Sequence, residues 1–249
     1  MGTDLPQKGS SAPFKVVSYN IRKCFGTDRR RDPMRILNVL EDVDADIVVL
    51  QEADRRFGTR QSALPHFLIE KHTDYRPVPF DVQLDSMGWH GNAILVRSNI
   101  SIDHHDIIHI PYLEPRGVVS AMLTISGQRL AIFGMHLDLS GLWRLRQARA
   151  IVKLTQRLDD DCPVLLMGDL NEWRQNGGCH KEFGRHFTVL DCGRSFHSMR
   201  PIGKLDRIMH SHHLRSIDHG VHQNALASRA SDHLPVWAKF VALGDGCLQ

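Results

Sequence analysis

A chain of 249 residues, 42% hydrophobic and 24% charged, has the composition of a globular protein rather than a disordered or fibrous one. Its net charge of +3, with sixteen histidines counted as neutral, is compatible with a polyanionic partner but far from the basic stripe of a dedicated nucleic-acid binder. The five cysteines (Cys24, Cys162, Cys179, Cys192, Cys247) contain no C-x-x-C spacing, which argues against a zinc ribbon or a disulfide framework and for reduced thiols in a cytoplasmic setting. The polar N-terminus lacks the apolar core of a signal peptide, and no run approaches the roughly 20 apolar residues of a membrane helix. Residues 1–13 read as a flexible tail, 14–243 as one folded domain without internal repeat or linker, and 244–249 as a C-terminal tail.

Phe14 to Tyr19 is predicted as a first strand ending at Asn20. Asp32-Pro33 supplies an N-cap with proline at the first helical position, and opens a helix through Asp44. Ala45 to Leu50 follows as a buried strand ending at Gln51-Glu52, and Gln61 to His72 as a second helix. Strands are then predicted at Gly91 to Arg97, Ile102 to Ile110, Gly117 to Ile125 and Arg129 to His136, with Ser126-Gly127 as a hairpin turn. Leu142 to Leu158 is an amphipathic helix whose expected buried side is Leu145, Ala148, Ile151, Val152, Leu154 and Leu158. The last strands are Pro163 to Met167, Thr188 to Asp191, Lys204 to His210, Arg215 to His222 and Leu234 to Val241. Many strands with a few helices fit two stacked sheets covered by helices.

Polar groups collect at the ends of these apolar strands: Asn20, Glu52, Asn92, Arg116, His136, Asp169 with Asn171, Asp206, and Asp232 with His233. Singly, each is an ordinary turn or solvated residue. Their shared position points to a cleft where carboxylates hold a metal against a phosphate ester.

Six stretches resemble, in order, the motifs of the endonuclease/exonuclease/phosphatase superfamily, whose branches include DNase I-like nucleases, sphingomyelinases and inositol polyphosphate phosphatases. They are Ser18-Tyr19-Asn20-Ile21, Leu50-Gln51-Glu52, His136-Leu137, Gly168-Asp169-Leu170-Asn171, Leu205-Asp206-Arg207-Ile208 and Ser231-Asp232-His233-Leu234-Pro235. The resemblance implies an α+β fold, a four-layer α/β sandwich of two packed, mostly antiparallel sheets with helices on the outer faces. It also implies a Mg²⁺- or Mn²⁺-dependent hydrolase in which Glu52 is the principal metal ligand, helped by Asn20 and Asp232. Asp169 would orient and deprotonate the attacking water, with His136 or His233 as the alternative groups to share that proton. Asn171 would hold the phosphate, and His233, oriented by Asp206, would donate to a phosphate oxygen. His136 is expected as a second imidazole and Arg116 as a fixed charge, while Asn92 and Trp173 are expected to contact substrate.

The expected activity is hydrolysis of a phosphodiester, with nucleic acid as the first substrate reading and a monomer as the working form. A lipid- or inositol-directed phosphoesterase is the alternative within the superfamily, and an inactive binding scaffold is the alternative outside it. His136 stands where abasic-site nucleases of the superfamily carry a Tyr-containing segment, which separates this chain from DNA repair. Arg29 to Arg31 and Arg55, Arg56 and Arg60 are predicted in loops opening on the same face, with Trp89, Trp143 and Trp173 near site positions. His104-His105 and His212-His213 lack a helical metal spacing and read as surface histidines.

Overall fold

The computed structural model describes residues 12–54, 61–80 and 86–243. Arg55, Arg56, Arg60, Cys247 and nearly all of both predicted tails fall outside them. Twelve strands among the described residues form two six-stranded sheets. The first runs β11 (Leu214–Val221), β12 (Val236–Ala242), β1 (Phe14–Asn20), β2 (Ile47–Gln51), β4 (Ala93–Arg97), β3 (Tyr75–Pro77). The second runs β5 (Ser101–Ile108), β6 (Val118–Ile125), β7 (Gln128–His136), β8 (Val164–Asp169), β10 (Asp206–His210), β9 (Thr188–Val189). Helices α1 (Pro33–Val43), α2 (His66–His72) and α5 (Ala227–Ala230) cover the outer face of the first sheet, and α3 (Gly141–Thr155) and α4 (Gly178–Phe183) that of the second. The fold is a four-layer α/β sandwich.

Alternation along each strand sorts side chains between layers. Val16, Ile47, Val49, Ile94, Ile132, Leu165, Met167, Ile208, Ala238 and Phe240 fill the space between the sheets. Their neighbours Val17, Val48 and Leu95 meet Ile36, Leu37 and Leu40 of α1, while Leu166 and Met209 meet Ala148, Ile151 and Val152 of α3. α1 starts as its sequence dictates: the Asp32 carboxylate accepts from the Arg35 backbone N–H at 3.2 Å, and Pro33 follows. Cys24, Cys162, Cys179 and Cys192 are buried free thiols.

Each sheet contains one parallel pair, β1 with β2 and β7 with β8, among antiparallel neighbours. This arrangement positions the site. Parallel pairing puts the C-terminal ends of β1 and β2, with Asn20 and Glu52, at one end of the first sheet. It does the same for His136 and Asp169 in the second, where they are register partners. Antiparallel β4, β6, β10 and β12 begin at that end, and so bring Asn92, Arg116, Asp206 and the Asp232-His233 pair to it.

The second helix starts at His66 rather than Gln61. Pro65 holds extended backbone at its N-terminus, and residue 63 bonds back to the Ala53 carbonyl at 2.7 Å, which draws 61–64 out of any helix. The buried side of α3 also differs from expectation: Leu145, Leu154 and Leu158 are only half-buried, while Arg144, Gln147 and Thr155 are buried. β3, α4 and α5 are too short to impose a period and were not predicted.

Gly168 sits in β8 at φ 155°, and a Cβ there would meet the Met135 carbonyl oxygen at 1.8 Å. Gly168→Ala is expected to destabilise the protein by about 3 kcal/mol, read as a lowered denaturant midpoint with unchanged slope.

Candidate active site

Asp169 is the meeting point of the two sheets. Its Oδ2 accepts from Asn20 Nδ2 at 3.0 Å, from the first sheet, and its Oδ1 accepts from the Asn171 backbone N–H at 2.8 Å. Both imidazoles face it, His136 Nε2 at 3.4 Å and His233 Nε2 at 3.7 Å from Oδ2. All three side chains are almost fully buried.

The two histidines differ in charge because they differ in their second partner. His233 Nδ1 lies 2.8 Å from Oδ2 of Asp206, which also accepts from Ser195 Oγ at 2.5 Å. The other Asp206 oxygen is buried without a partner, so much of its charge falls on His233. Burial opposes the imidazolium, but Asp206 and Asp169 outweigh it and hold the His233 pKa up to about 10. The segment of Ser195 fixes the backbone too, since its carbonyl accepts from Leu234 N–H at 2.8 Å, and the Phe196 ring packs 4.9 Å from the imidazole.

His136 is the opposite case. Arg116 Nη1 lies 2.8 Å from its Nε2, and a guanidinium can only donate, so that nitrogen carries a lone pair. Burial, partly countered by Asp169 and reinforced by Arg116, lowers its pKa to about 3. The two imidazoles thus sit in opposite electrostatic surroundings, which favour the protonated ring at His233 and the neutral ring at His136.

Asn92 is tied to the backbone around it. It is fully buried, and its Nδ2 donates to the carbonyls of Gly117 at 3.0 Å and Trp89 at 3.2 Å. Its carbonyl oxygen has no hydrogen-bond partner among the described residues. Asn92 aligns the start of β4 with the Arg116-Gly117 loop. Asn171 Nδ2 donates to Leu137 O at 2.9 Å, tying the loop after β8 to the one after β7. Trp173 is 57% exposed at the rim and meets Phe196 edge-on at 5.7 Å.

The described site is matched as a whole by the model of the Endonuclease/Exonuclease/phosphatase family, over residues 17–233. The chain belongs to this family. It is 28% identical over 225 residues to the uncharacterised protein YbhP of Escherichia coli (strain K12), covering 82% of this chain and 87% of that one. The D. rerio TDP2 structure complexed with single strand DNA product superimposes with a TM-score of 0.72 at 17% identity, covering 92% of this chain and 99% of that one. The mannosyl-6-phosphatase Bt3783 of Bacteroides thetaiotaomicron VPI-5482 does so at 0.72 and 18%, covering 91% and 99%.

Among family chains that use a divalent metal, hard oxygen donors suit the ion, and this cleft supplies them. Glu52 and Asp232 flank Asn20 and Asp169, and each carboxylate already holds a cation: Lys23 Nζ pairs with Glu52, and Arg22 Nε stands 3.3 Å from Asp232. Glu52 and Asn171 both have positive φ, 55° and 51°, backbone values that recur where structure is subordinated to a site. Among the described residues one group of acidic and imidazole side chains has metal-ligand spacing, Asp169, Asp206 and His233, whose ligand atoms lie within 4.8 Å of one another. In that group the His233 Nδ1 and an Asp206 oxygen are already hydrogen-bonded to each other.

Supporting residues escaped the sequence reading. Arg144 on α3 donates to Glu172 Oε2 from Nε at 3.2 Å and Nη2 at 3.1 Å, and to the Leu139 carbonyl at 2.6 Å. Gln147 accepts from Asp138 N–H at 2.9 Å, and Asp138 caps the Leu113, Glu114 and Ser140 amides. The signal was present: an arginine and a glutamine, three residues apart, on an otherwise apolar helix face.

In the metal-free protein, imidazole ¹⁵N NMR should show His233 protonated through pH 8 with its midpoint near 10, and His136 neutral down to about pH 3. Against unfolded values of about 6.5, the stability contributed by His233 is full below pH 6.5 and is lost as pH rises through its folded value. The His136 contribution runs the other way, falling as pH drops below about 6.5.

Proposed function

We propose that this chain is a divalent-metal-dependent phosphodiesterase acting by in-line attack of water, with nucleic acid as its substrate. The observation that carries the reading is a single buried carboxylate, Asp169, beside a cationic His233 on one side and a neutral, arginine-bound His136 on the other. A phosphodiester is anionic, so hydrolysis needs positive charge at the non-bridging oxygens and an acceptor for the proton of the attacking water. His233, kept protonated by Asp206, presents an N–H donor for a phosphate oxygen. Asp169, both of whose oxygens are held in place by donors, takes the proton from water. Arg116 adds a buried fixed charge through His136. Glu52, with Asn20 and Asp232, would hold Mg²⁺ or Mn²⁺, which when bound neutralises phosphate charge and lowers the pKa of coordinated water.

The exposed face of Trp173, reached from His233 through Phe196, suits stacking of a base next to the scissile phosphate. Arg29, Arg30 and Arg31 are exposed on the loop after β1, at the same end of the sandwich. The similarity in fold to TDP2 with a single strand DNA product is consistent with this substrate. A second reading, a phospholipid-directed phosphoesterase, is favoured by three exposed apolar side chains near Asp138: Leu113 and Leu139 on the loops that Asp138 joins, and Leu142 in the first turn of α3.

Turnover with Mg²⁺ and Mn²⁺ on single- and double-stranded DNA, RNA, a phospholipid, an inositol phosphate and bis-p-nitrophenyl phosphate decides among these. The nucleic-acid reading predicts the highest kcat/KM on an oligonucleotide, and preference for the phospholipid would replace it with the second. Asp169→Asn should keep the fold and lower kcat by about 10²-fold or more on whichever ester is cleaved. No turnover on any of them with metal present would leave a binding scaffold instead.

A further inference from the structure

The outer face of the second sheet carries a cavity of about 270 Å³, just under the roughly 300 Å³ at which small-molecule sites begin. It lies beside β10, between α4 and the chain following β9. Strand alternation places it back to back with the cleft: Asp206 and Ile208 face inward, whereas Arg207 and Met209 face outward. Its lining is rich in nitrogen donors, from Gln175, Asn176, His180, Lys181, Lys204 and Arg207.

Two of these groups are buried without adequate partners. Arg207 is 6% exposed, and its one hydrogen bond among the described residues is from Nη1 to the Asp206 carbonyl at 3.2 Å. The rest of that guanidinium fork has no acceptor there. His180 is 8% exposed, and its Nε2 is buried with no partner. Burial costs such groups free energy unless something binds them. The one carboxylate lining the cavity, Asp191, is taken up by Lys204, whose Nζ reaches its two oxygens at 2.7 and 2.6 Å. Arg207 has Asp206 and Asp191 nearby but no carboxylate in hydrogen-bond contact among the described residues, and Lys181 makes no ion pair among them.

We propose that this cavity is a second anion site, separate from the catalytic cleft, that takes one phosphate group with Arg207, His180 and Lys181 as its principal donors. A guanidinium fork beside an imidazole and an ammonium matches the tetrahedral array of phosphate oxygens better than a planar carboxylate. The bound group is either a free phosphate or a phosphate of a nucleic-acid chain lying across that edge of the sandwich.

The metal-free, full-length protein titrated with inorganic phosphate at constant ionic strength tests this, followed by the side-chain amide resonances of Gln175 and Asn176. These should shift saturably in the wild-type protein. His180→Leu and Lys181→Ala should each weaken that response by about tenfold, with hydrolysis of a small phosphodiester within twofold of wild type. Arg207→Gln should abolish it; if that variant does not fold, the other two decide. A short oligonucleotide that moves the same resonances at lower concentration, in competition with phosphate, identifies a backbone phosphate as the ligand. A response to phosphate alone identifies the free anion. Resonances that do not respond in the wild type, or an unchanged affinity in folded His180→Leu and Lys181→Ala, would overturn the proposal.

Discussion

The hydrogen bond from Asn20 to Asp169 is the contact on which the cleft depends, because it joins the end of one sheet to the end of the other. Two packed sheets leave an apolar layer between them, and that layer alone fixes neither the offset nor the angle of their edges. At the cleft a buried amide from β1 meets a buried carboxylate from β8, and neither finds a substitute in water. The Asn171 backbone N–H closes the other carboxylate oxygen, so Asp169 has little freedom to turn. The parallel pairs at the centre of each sheet make this meeting possible, since they put both chain ends on one side.

From that fixed point the electrostatics follow. One carboxylate lies between two imidazoles, and what distinguishes them is the next neighbour out. Asp206 behind His233 adds negative charge and holds a proton on the ring against its burial, whereas at His136 burial disfavours the proton and the positive charge of Arg116 adds to that effect. A single anion thus faces one acid and one neutral ring only a few ångströms apart. Glu52 and Asp232 stand outside this buried group, partly solvated and paired with Lys23 and Arg22.

Much of this was legible before any coordinates. The run Val164 to Met167 followed by Gly-Asp-Leu-Asn reads as a strand that delivers its polar residues at an end, and Asp32-Pro33 announces α1. The ordered motifs then point to the family and its sandwich. What was hidden depends on pairs distant in the chain. Nothing local to His136 reveals that it is buried against Arg116, twenty residues earlier in the chain. Nothing near Asn92 shows that its amide is consumed by two backbone carbonyls. The start of α2 was misplaced because the helical pattern around Leu64 and Ile69 continues through Pro65, while the backbone does not. Arg144 and Gln147 broke the apolar face of α3 in plain view, but their partners lie in loops that only the fold brings near.

The central claim is that Asp206 acts through His233, holding its proton, rather than as a separate site group. A double-mutant cycle on kcat/KM for one cleaved phosphoester, at saturating metal and with folding verified by circular dichroism, tests it most directly. The account predicts that Asp206→Asn/His233→Ala is little worse than His233→Ala alone. Losses that multiply as independent effects would contradict it.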